Sequence, residues 1–312
     1  MKTDNMRESK HVEDRRGQSH SGGRGGGYRR SGMGGSGMMG NLLLQLLMSR
    51  GGGKWLLILG ILFLLVNGGL GGFDNIFVND SNYSTPATTS TNQPSSTSQS
   101  EEAKFLSKVL ASTEDFWTQK FKEQGLTYNP PKLVLYSHST PTNGCGIGSA
   151  NAGPFYCPAD RKVYIDLSFY RDLTTKYRAS GDFAMAYVLA HEVGHHVQNE
   201  LGTMDKYHQA RRRLSEKEAN KLNVRLELQA DYYAGAWAKY VDGQGLLDVG
   251  DIEEAMAAAH AVGDDTLQEQ AYGRTVPDSF THGTSEQRRY WFDRGYQYGD
   301  FEHGNTFEQG AY

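Results

Sequence analysis

An α+β fold dominated by helices is predicted by two strand-like segments and by the helical periodicity that accompanies them. Lys132–Ser137 and Lys162–Tyr170 are rich in β-branched and aromatic residues, as strands are. Most of the chain beyond them spaces its apolar residues about 3.6 positions apart, which indicates helices. Because the strands precede the main run of helices, the class is α+β.

Helices account for most of the predicted elements. The apolar spacing and the capping residues predict them over Phe105–Phe121, Asp182–Leu201, about Asp205–Val241, Asp251–Gly263, and a last segment that follows the capping box Thr284–Gln287. Gly202 follows the second of these helices directly, where a glycine commonly ends a helix.

Composition divides the chain into four regions. Residues 1–54 are basic and Gly-rich, and we expect a disordered tail. Residues 55–72 include the uncharged stretch Trp55–Val66, and we expect a single transmembrane helix of about 24 Å, within tolerated mismatch of a core of about 30 Å. Residues 73–102 are Ser/Thr-rich and are expected to form a flexible linker, which leaves the folded domain at 103–312.

The charges near the apolar stretch predict its orientation in the membrane. Lys and Arg outnumber Asp and Glu in residues 1–54, and Lys54 and Trp55 suit an interface. The positive-inside rule then places the N-terminus in the cytoplasm and the catalytic domain outside it, in the periplasm or the extracellular space. A cleaved signal peptide is the alternative, but the region before the apolar stretch is far too long for one.

Two further features bear on compartment and partners. The net charge of −4 argues against nucleic acid as the main partner, although RNA binding by the Gly/Arg-rich arm is an alternative. Cys145 and Cys157 are the only cysteines, and outside the cytoplasm such a pair most simply forms a disulfide. Two cysteines are too few for a structural zinc site made of cysteines.

The stretch VLAHEVGHHVQ, residues 188–198, contains the pattern H-E-x-x-H. His191 and His195 are four residues apart and share one face of a helix, so both can bind one zinc ion. Glu192 lies about 100° round the helix and is placed to act as a base toward a metal-bound water. His196 points away from His195, and we expect it to lie at the surface or behind a ligand.

A catalytic zinc needs a third protein ligand, and the predicted helix Val224–Tyr240 offers one. Glu227 and Asp231 are again four residues apart on one face. We expect Glu227 to bind zinc and Asp231 to accept the second N–H of a ligand histidine. Small residues such as Ala230 and Gly235 would let this helix approach a neighbour closely.

Oxyanion stabilisation would need a further cationic side chain. His282 is the candidate for this catalytic role, with Arg288 as the other possibility; each could instead have a purely local structural role. Asp264 and Asp265 look like a turn at a helix end and are assigned no metal.

These motifs resemble the neutral zinc metallopeptidase family of bacterial membrane-anchored proteins. The resemblance rests on GCG at 144–146, GPFYCPAD at 153–160, AHEVGHHVQ at 190–198, RLELQADYYAGAW at 225–237 and FTHGTSEQR at 280–288. It implies a zincin-like domain that takes a glutamate ligand from a second helix. By the same fold analogy, an extended peptide would bind at an edge strand, and KVYIDLSFY at 162–170 is the expected edge.

The resulting hypothesis is a membrane-anchored zinc endopeptidase that hydrolyses extracytoplasmic proteins or peptides. Glu192 would take a proton from a zinc-bound water and return it to the leaving amine. The alternative is a zinc-stabilised, membrane-tethered binding or adaptor protein with little or no proteolytic activity.

Overall fold

The computed structural model describes residues 1–17, 96–177, 179 and 181–308. The predicted anchor at 55–72 lies outside these residues, as do most of the predicted tail and most of the linker. Within the described part of the chain, no helix is both long enough and apolar enough to cross a membrane.

A four-stranded sheet lies on one side of the fold, in the order β1-β2-β6-β5. It consists of β1 (Val12–Asp14), β2 (Lys132–Tyr136), β5 (Phe155–Cys157) and β6 (Lys162–Asp166), of which β1, β2 and β6 run parallel and β5 runs antiparallel to β6. A separate hairpin joins β3 (Ser139–Pro141) to β4 (Ile147–Ser149). The Cys145–Cys157 disulfide predicted from the sequence is present and ties this hairpin to β5.

The sheet corrects the predicted edge strand. The segment 162–170 is a strand only to Asp166, because the Asp166 carboxylate accepts a hydrogen bond from the backbone N–H of Ser168 at 2.8 Å and the chain turns into a helix. Strand β6 also lies between β2 and β5, so its backbone is paired on both sides. Among the described residues, β5 is the edge strand on this side of the sheet.

Eight α-helices in the described residues make up most of the structure. They are α1 (Ser96–Glu123), α2 (Ser168–Thr175), α3 (Asp182–Glu200), α4 (Thr203–Arg211), α5 (Glu216–Gly243), α6 (Asp251–Ala261), α7 (Asp264–Tyr272) and α8 (Ser285–Tyr298). A helix-dominated α+β fold with small sheets is therefore confirmed. Likewise, the capping box Thr284–Gln287 begins α8 as predicted.

One segment that was predicted to be a single helix forms two helices. The segment expected to be helical from Asp205 to Val241 breaks after α4 and restarts at α5. Ser215 begins the new helix, since its hydroxyl caps the backbone N–H of Glu218 and the Glu218 carboxylate caps Ser215 in return. Helices α4 and α5 both contact α3.

Helix α3 lies at the centre of the core. Every residue from Phe183 to Gln198 is buried, as expected for a helix with neighbours on all sides. It packs against α1, α5 and α6. Its approach to α5 is close at Gly194, where an added Cβ would lie 3.0 Å from the backbone oxygen of Ala230. The small residues of α5 also admit α8, because Gly235 and Gly295 leave no room for a Cβ.

Residues 1–17 form what we call the N-terminal strap, and they correct the expected disordered tail. They belong to the same compact unit as the domain from Ser96 onward. Strand β1 of the strap pairs with β2, with Val12 opposite Leu133. The Gly-rich composition that predicted disorder begins only after these residues, so averaging over 1–54 concealed a short strand.

Candidate metal centre

Helices α3 and α5 bring three potential metal ligands together. The Glu227 Oε2 atom lies 3.2 Å from His191 Nε2 and 3.5 Å from His195 Nε2. One ligand atom from each of the three side chains lies within 4.8 Å of the others. The side chains are only 9–12% exposed. The structure thus places together the three ligands predicted from their spacing.

The donor set fits zinc. Two imidazole nitrogens and one carboxylate oxygen form a common catalytic zinc site, which leaves one position open. In both histidines the Nδ1 atom bonds to another side chain, so Nε2 is the atom turned toward Glu227. An outer hydrogen bond of this kind holds the ring orientation and tautomer that a metal requires.

Behind His191 lies a charged, fully buried network. The His191 Nδ1–H donates to Asp231 Oδ1 at 2.8 Å, and the Tyr187 hydroxyl donates to the same oxygen at 2.6 Å. The Arg288 guanidinium donates to both oxygens of Asp231, at 2.8 and 3.0 Å. Asp231 occupies the place predicted for it. Arg288 does not approach the open side of the site, because it is committed to Asp231.

Behind His195 lies a neutral amide that the sequence reasoning missed. The His195 Nδ1–H donates to Gln198 Oε1 at 2.9 Å. The Gln198 amide then donates to the backbone oxygen of Leu226, at 2.7 Å, and to Gln229. Gln198 is three residues after His195, so its position on the same helix face was a signal that could have found it.

The charges of the site hold one another in place. Burial disfavours the Glu227 carboxylate, but the charge of His195 and hydrogen bonds from both histidines hold its pKa well below the usual range. Burial disfavours the His191 cation as well, yet Asp231 and Glu227 raise the pKa of His191 to about 9. For Asp231, Arg288 and His191 overcome burial and lower its pKa to about 2.

Glu192 follows His191 on α3 and has no polar partner in the described residues. The residue is buried, 8% exposed. No hydrogen bond or ion pair joins its carboxylate to any other residue in the described ranges. It does interact electrostatically with His195. An unpaired carboxylate next to three metal ligands is suited to accepting a proton.

His282 borders the site and is held by Asp264. The Asp264 Oδ2 atom accepts backbone N–H bonds from Thr281 and His282 at 2.6 Å and from Gly283 at 3.0 Å. Its Oδ1 atom lies 3.2 Å from the His282 Nδ1 atom. The interpretation of Asp264 as a simple helix-end turn was therefore incomplete, because this residue begins α7 and anchors the loop before α8.

The environment of His282 favours its charged form. Burial lowers its pKa, but the hydrogen bond to Asp264 and the charges of Glu227 and Asp264 outweigh burial and raise the pKa of His282. Its side chain is 43% exposed, so solvent and other molecules can reach it. His282 is therefore a half-exposed, protonatable group close enough to Glu227 for their charges to interact.

His196 faces the other side of α3, and it is fully buried. Its Nε2–H donates to the backbone oxygen of Asn129 at 2.7 Å, and its Nδ1 accepts from the Tyr156 hydroxyl at 3.0 Å. Both bonds suit a neutral ring, and burial lowers the pKa of His196 to about 4. It does not face Glu227. The expected surface position is wrong, since His196 links α3 to strand β5.

The chain is similar to known proteins over most of its length. A family model described as "Putative neutral zinc metallopeptidase" matches residues 1–307. The uncharacterized protein YpfJ of Escherichia coli K12 is 56% identical over 212 residues, which are 68% of this chain and 74% of that protein. The uncharacterized protein Rv2575 of Mycobacterium tuberculosis H37Rv is 45% identical over 191 residues, 58% of this chain and 63% of its own. No solved structure matches the chain.

Proposed function

The chain belongs to the neutral zinc metallopeptidase family, and on that premise we propose that it is a zinc-dependent endopeptidase with a zincin-like active site. One observation carries this proposal. His191, His195 and Glu227 converge in a buried site, and Glu192, which follows His191 on α3 and has no hydrogen bond or ion pair in the described residues, is close enough to act electrostatically on His195. A purely structural metal site has no use for a free base at that position.

Each residue of the site has a distinct task in peptide hydrolysis. Zinc held by His191, His195 and Glu227 would act as a Lewis acid on the scissile carbonyl and lower the pKa of water. Glu192 accepts the proton of the attacking water on its carboxylate and passes it to the nitrogen of the leaving amine.

His282 supplies the positive charge that peptide hydrolysis requires as the carbonyl oxygen becomes an anion. Asp264 fixes the imidazole through Nδ1, so that Nε2–H remains to donate a hydrogen bond. A donor aimed at the developing charge contributes roughly 3 kcal/mol to transition-state stabilisation. Arg288 is not assigned this task, since both its strong hydrogen bonds go to the buried Asp231.

An endopeptidase with a zincin-like site binds its substrate as an extended segment that adds to the edge of a sheet. Addition of a peptide to a sheet edge uses backbone hydrogen bonds and accepts many sequences. The substrate class is therefore proteins and peptides that can present an extended segment.

The place of action is the compartment in which the Cys145–Cys157 disulfide forms, outside the cytoplasm. The apolar stretch Trp55–Val66 would hold the enzyme at the membrane, and this part of the proposal rests on sequence alone. A membrane-held protease of this kind would act on proteins that pass close to the membrane surface.

Replacement of the base tests the proposal. The full chain and its Glu192→Gln variant are purified, loaded with zinc, and incubated with an unfolded protein; mass spectrometry then counts new peptide termini. We expect equal zinc content and a loss of cleavage of roughly 100-fold or more in the variant. Glu216→Gln, at an exposed position on α5, is the matched control and should cleave normally. Cleavage by Glu192→Gln at the wild-type rate would refute the mechanism.

Removal of the metal distinguishes the proposed enzyme from the alternative, a zinc-stabilised binding or adaptor protein. After chelation, an enzyme with this buried but locally supported site should keep its helical circular dichroism and lose cleavage, and added zinc should restore it. Unfolding of residues 96–308 on chelation, without any prior cleavage, would instead indicate a structural metal in a binding protein.

A further inference from the structure

Helix α1 carries a buried carboxylate whose partners all come from the N-terminal strap. Glu114 is 5% exposed. Its oxygens accept hydrogen bonds from the Ser9 hydroxyl and from His11 Nδ1 at 2.8 Å, and Arg7 pairs with it at 2.9 Å. Among the described residues, no other side chain bonds or pairs with this carboxylate.

A buried lysine on the same helix depends on the strap too. Lys108 is 8% exposed, and its ammonium group donates to the backbone oxygen of Thr3 at 2.7 Å. The Met1 side chain is buried within the main hydrophobic core. The Met1 amino group lies 3.0 Å from Asp182 and 3.2 Å from Asp251, the first residues of α3 and α6.

The strap also completes the sheet. Strand β1 runs parallel to β2, and bonds on either side of the pairing extend it: Leu133 N–H donates to His11 O and Arg15 N–H donates to Leu135 O, both at 2.8 Å. Lys162 of β6 pairs with Glu13 of β1 at 2.9 Å. The strap thus contacts the sheet, α1 and the beginnings of α3 and α6.

Without the strap, Glu114 would lose every side-chain partner that it has in the described residues, and Lys108 would lose its hydrogen bond to Thr3. Strand β2 would also lose the strand that pairs with its outer edge. The strap is therefore an integral part of the fold of residues 96–308.

We propose that the N-terminal strap and residues 96–308 lie on the same side of the membrane. A chain segment cannot pair with a sheet from the opposite side of a bilayer. A single crossing by Trp55–Val66, which the charge distribution predicts, would separate the two. The strap therefore shares the compartment of residues 96–308 and of their disulfide.

Part of the charge excess in residues 1–54 belongs to the folded strap. Arg7 pairs with Asp115 at 2.6 Å, Arg15 with Glu13 at 2.8 Å and Arg16 with Asp14 at 2.6 Å. These arginines lie on the folded surface and pair with acidic residues. They are not an unpaired basic tail of the kind that the positive-inside rule describes.

Thiol labelling of the full chain in membranes tests the proposal. One variant carries Lys10→Cys in the strap and another carries Glu302→Cys after α8; both positions are exposed. The native cysteines are joined to each other and do not react. We expect a membrane-impermeant maleimide to label both variants in vesicles of the same orientation. Labelling in vesicles of opposite orientation would overturn the proposal.

A cross-link gives an independent readout that does not depend on vesicle orientation. The backbone N–H of Ser9 donates to the backbone oxygen of Ser107 at 3.1 Å, so an S9C/S107C pair lies within reach of a short thiol cross-linker. We expect peptides containing both positions to be joined in the full chain isolated from membranes, whereas neither single variant should form them. A chain that cleaves its substrate normally and gives no such peptide would contradict the proposal.

Discussion

Helix α3 presents histidines on two faces, and the two faces have opposite electrostatics. His191 and His195 face helix α5, where Asp231 and Glu227 raise the pKa of His191 and Glu227 raises the pKa of His195. His196, the very next residue, faces Asn129 and Tyr156, and burial lowers its pKa to about 4. The imidazole ring is thus favoured in its charged form on one face of α3 and held neutral on the other. The neighbouring element determines the role of each histidine, and histidine clustering in the sequence does not.

The largest expected effect is loss of the metal from the α5-facing side. Glu227→Ala removes one of three ligands, and zinc affinity should fall by more than about 100-fold, because outer partners alone are worth about 10–100-fold. Metal content after dialysis, measured by mass spectrometry, checks this. His196→Gln is the control from the opposite face and should retain zinc. Equal zinc loss in both folded variants would show that the two faces of α3 do not differ in metal binding.

The next largest effect is expected from the ion pair between Asp231 and Arg288, which lies behind His191. Asp231→Ala leaves the Arg288 guanidinium buried without its carboxylate, which should lower the free energy of unfolding by about 3–5 kcal/mol. Urea unfolding of the metal-free protein measures it. The double variant Asp231→Ala with Arg288→Met removes both charges and should recover much of the loss. A single variant as stable as the wild type would show that this network is not a charged one.

On the opposite face of α3, His196 should make the stability of the protein sensitive to acid. The pKa of His196 is about 4 in the native state and about 6.5 when unfolded, so below pH 6.5 only the unfolded state takes up the proton. The contribution of neutral His196 to the free energy of unfolding is complete above pH 6.5. It is lost as the pH falls toward 4, and the loss amounts to roughly 3 kcal/mol. Urea unfolding from pH 7 to pH 4 should show this slope in the wild type and a shallower one in His196→Gln. Parallel slopes would place His196 in solvent contact.

The smallest effect is expected at the neutral partner of His195. Gln198→Ala leaves the His195 Nδ1–H and the Leu226 oxygen without their bonds, which costs about 1–3 kcal/mol of stability. Gln198→Glu restores an acceptor and makes the two α5-facing histidines more alike. We expect zinc titration to show weaker binding for the alanine variant than for the glutamate variant. The reverse order would mean that Gln198 does not orient His195.

Much of the metal centre was predictable because its geometry is local. His191 and His195, like Glu227 and Asp231, are four residues apart, and a helix places such pairs on one face whatever surrounds it. The capping box at Thr284 and the pairing of two cysteines are also local or nearly so. These features required only the identification of a helix or a count of residues.

Other features were not predictable because they join distant parts of the chain. Arg288 reaches Asp231 across 57 positions, and His11 reaches Glu114 across 103. Nothing in the local pattern of either residue indicates its partner. The edge strand was assigned to the wrong segment for the same reason, since sheet order depends on which strands pair.

The sequence by itself determined helices α1, α3, α6 and α8 and the disulfide. It also determined that the H-E-x-x-H histidines share one helix face and the carboxylate pair another, because spacing along a helix and residue counting need no tertiary information. Only the tertiary structure decided that His196 is a neutral structural residue, that Arg288 lies behind the site, and that residues 1–17 complete the sheet. The physical reason is that burial and pairing of charge depend on what packs against a side chain, and packing brings together residues that the sequence keeps far apart.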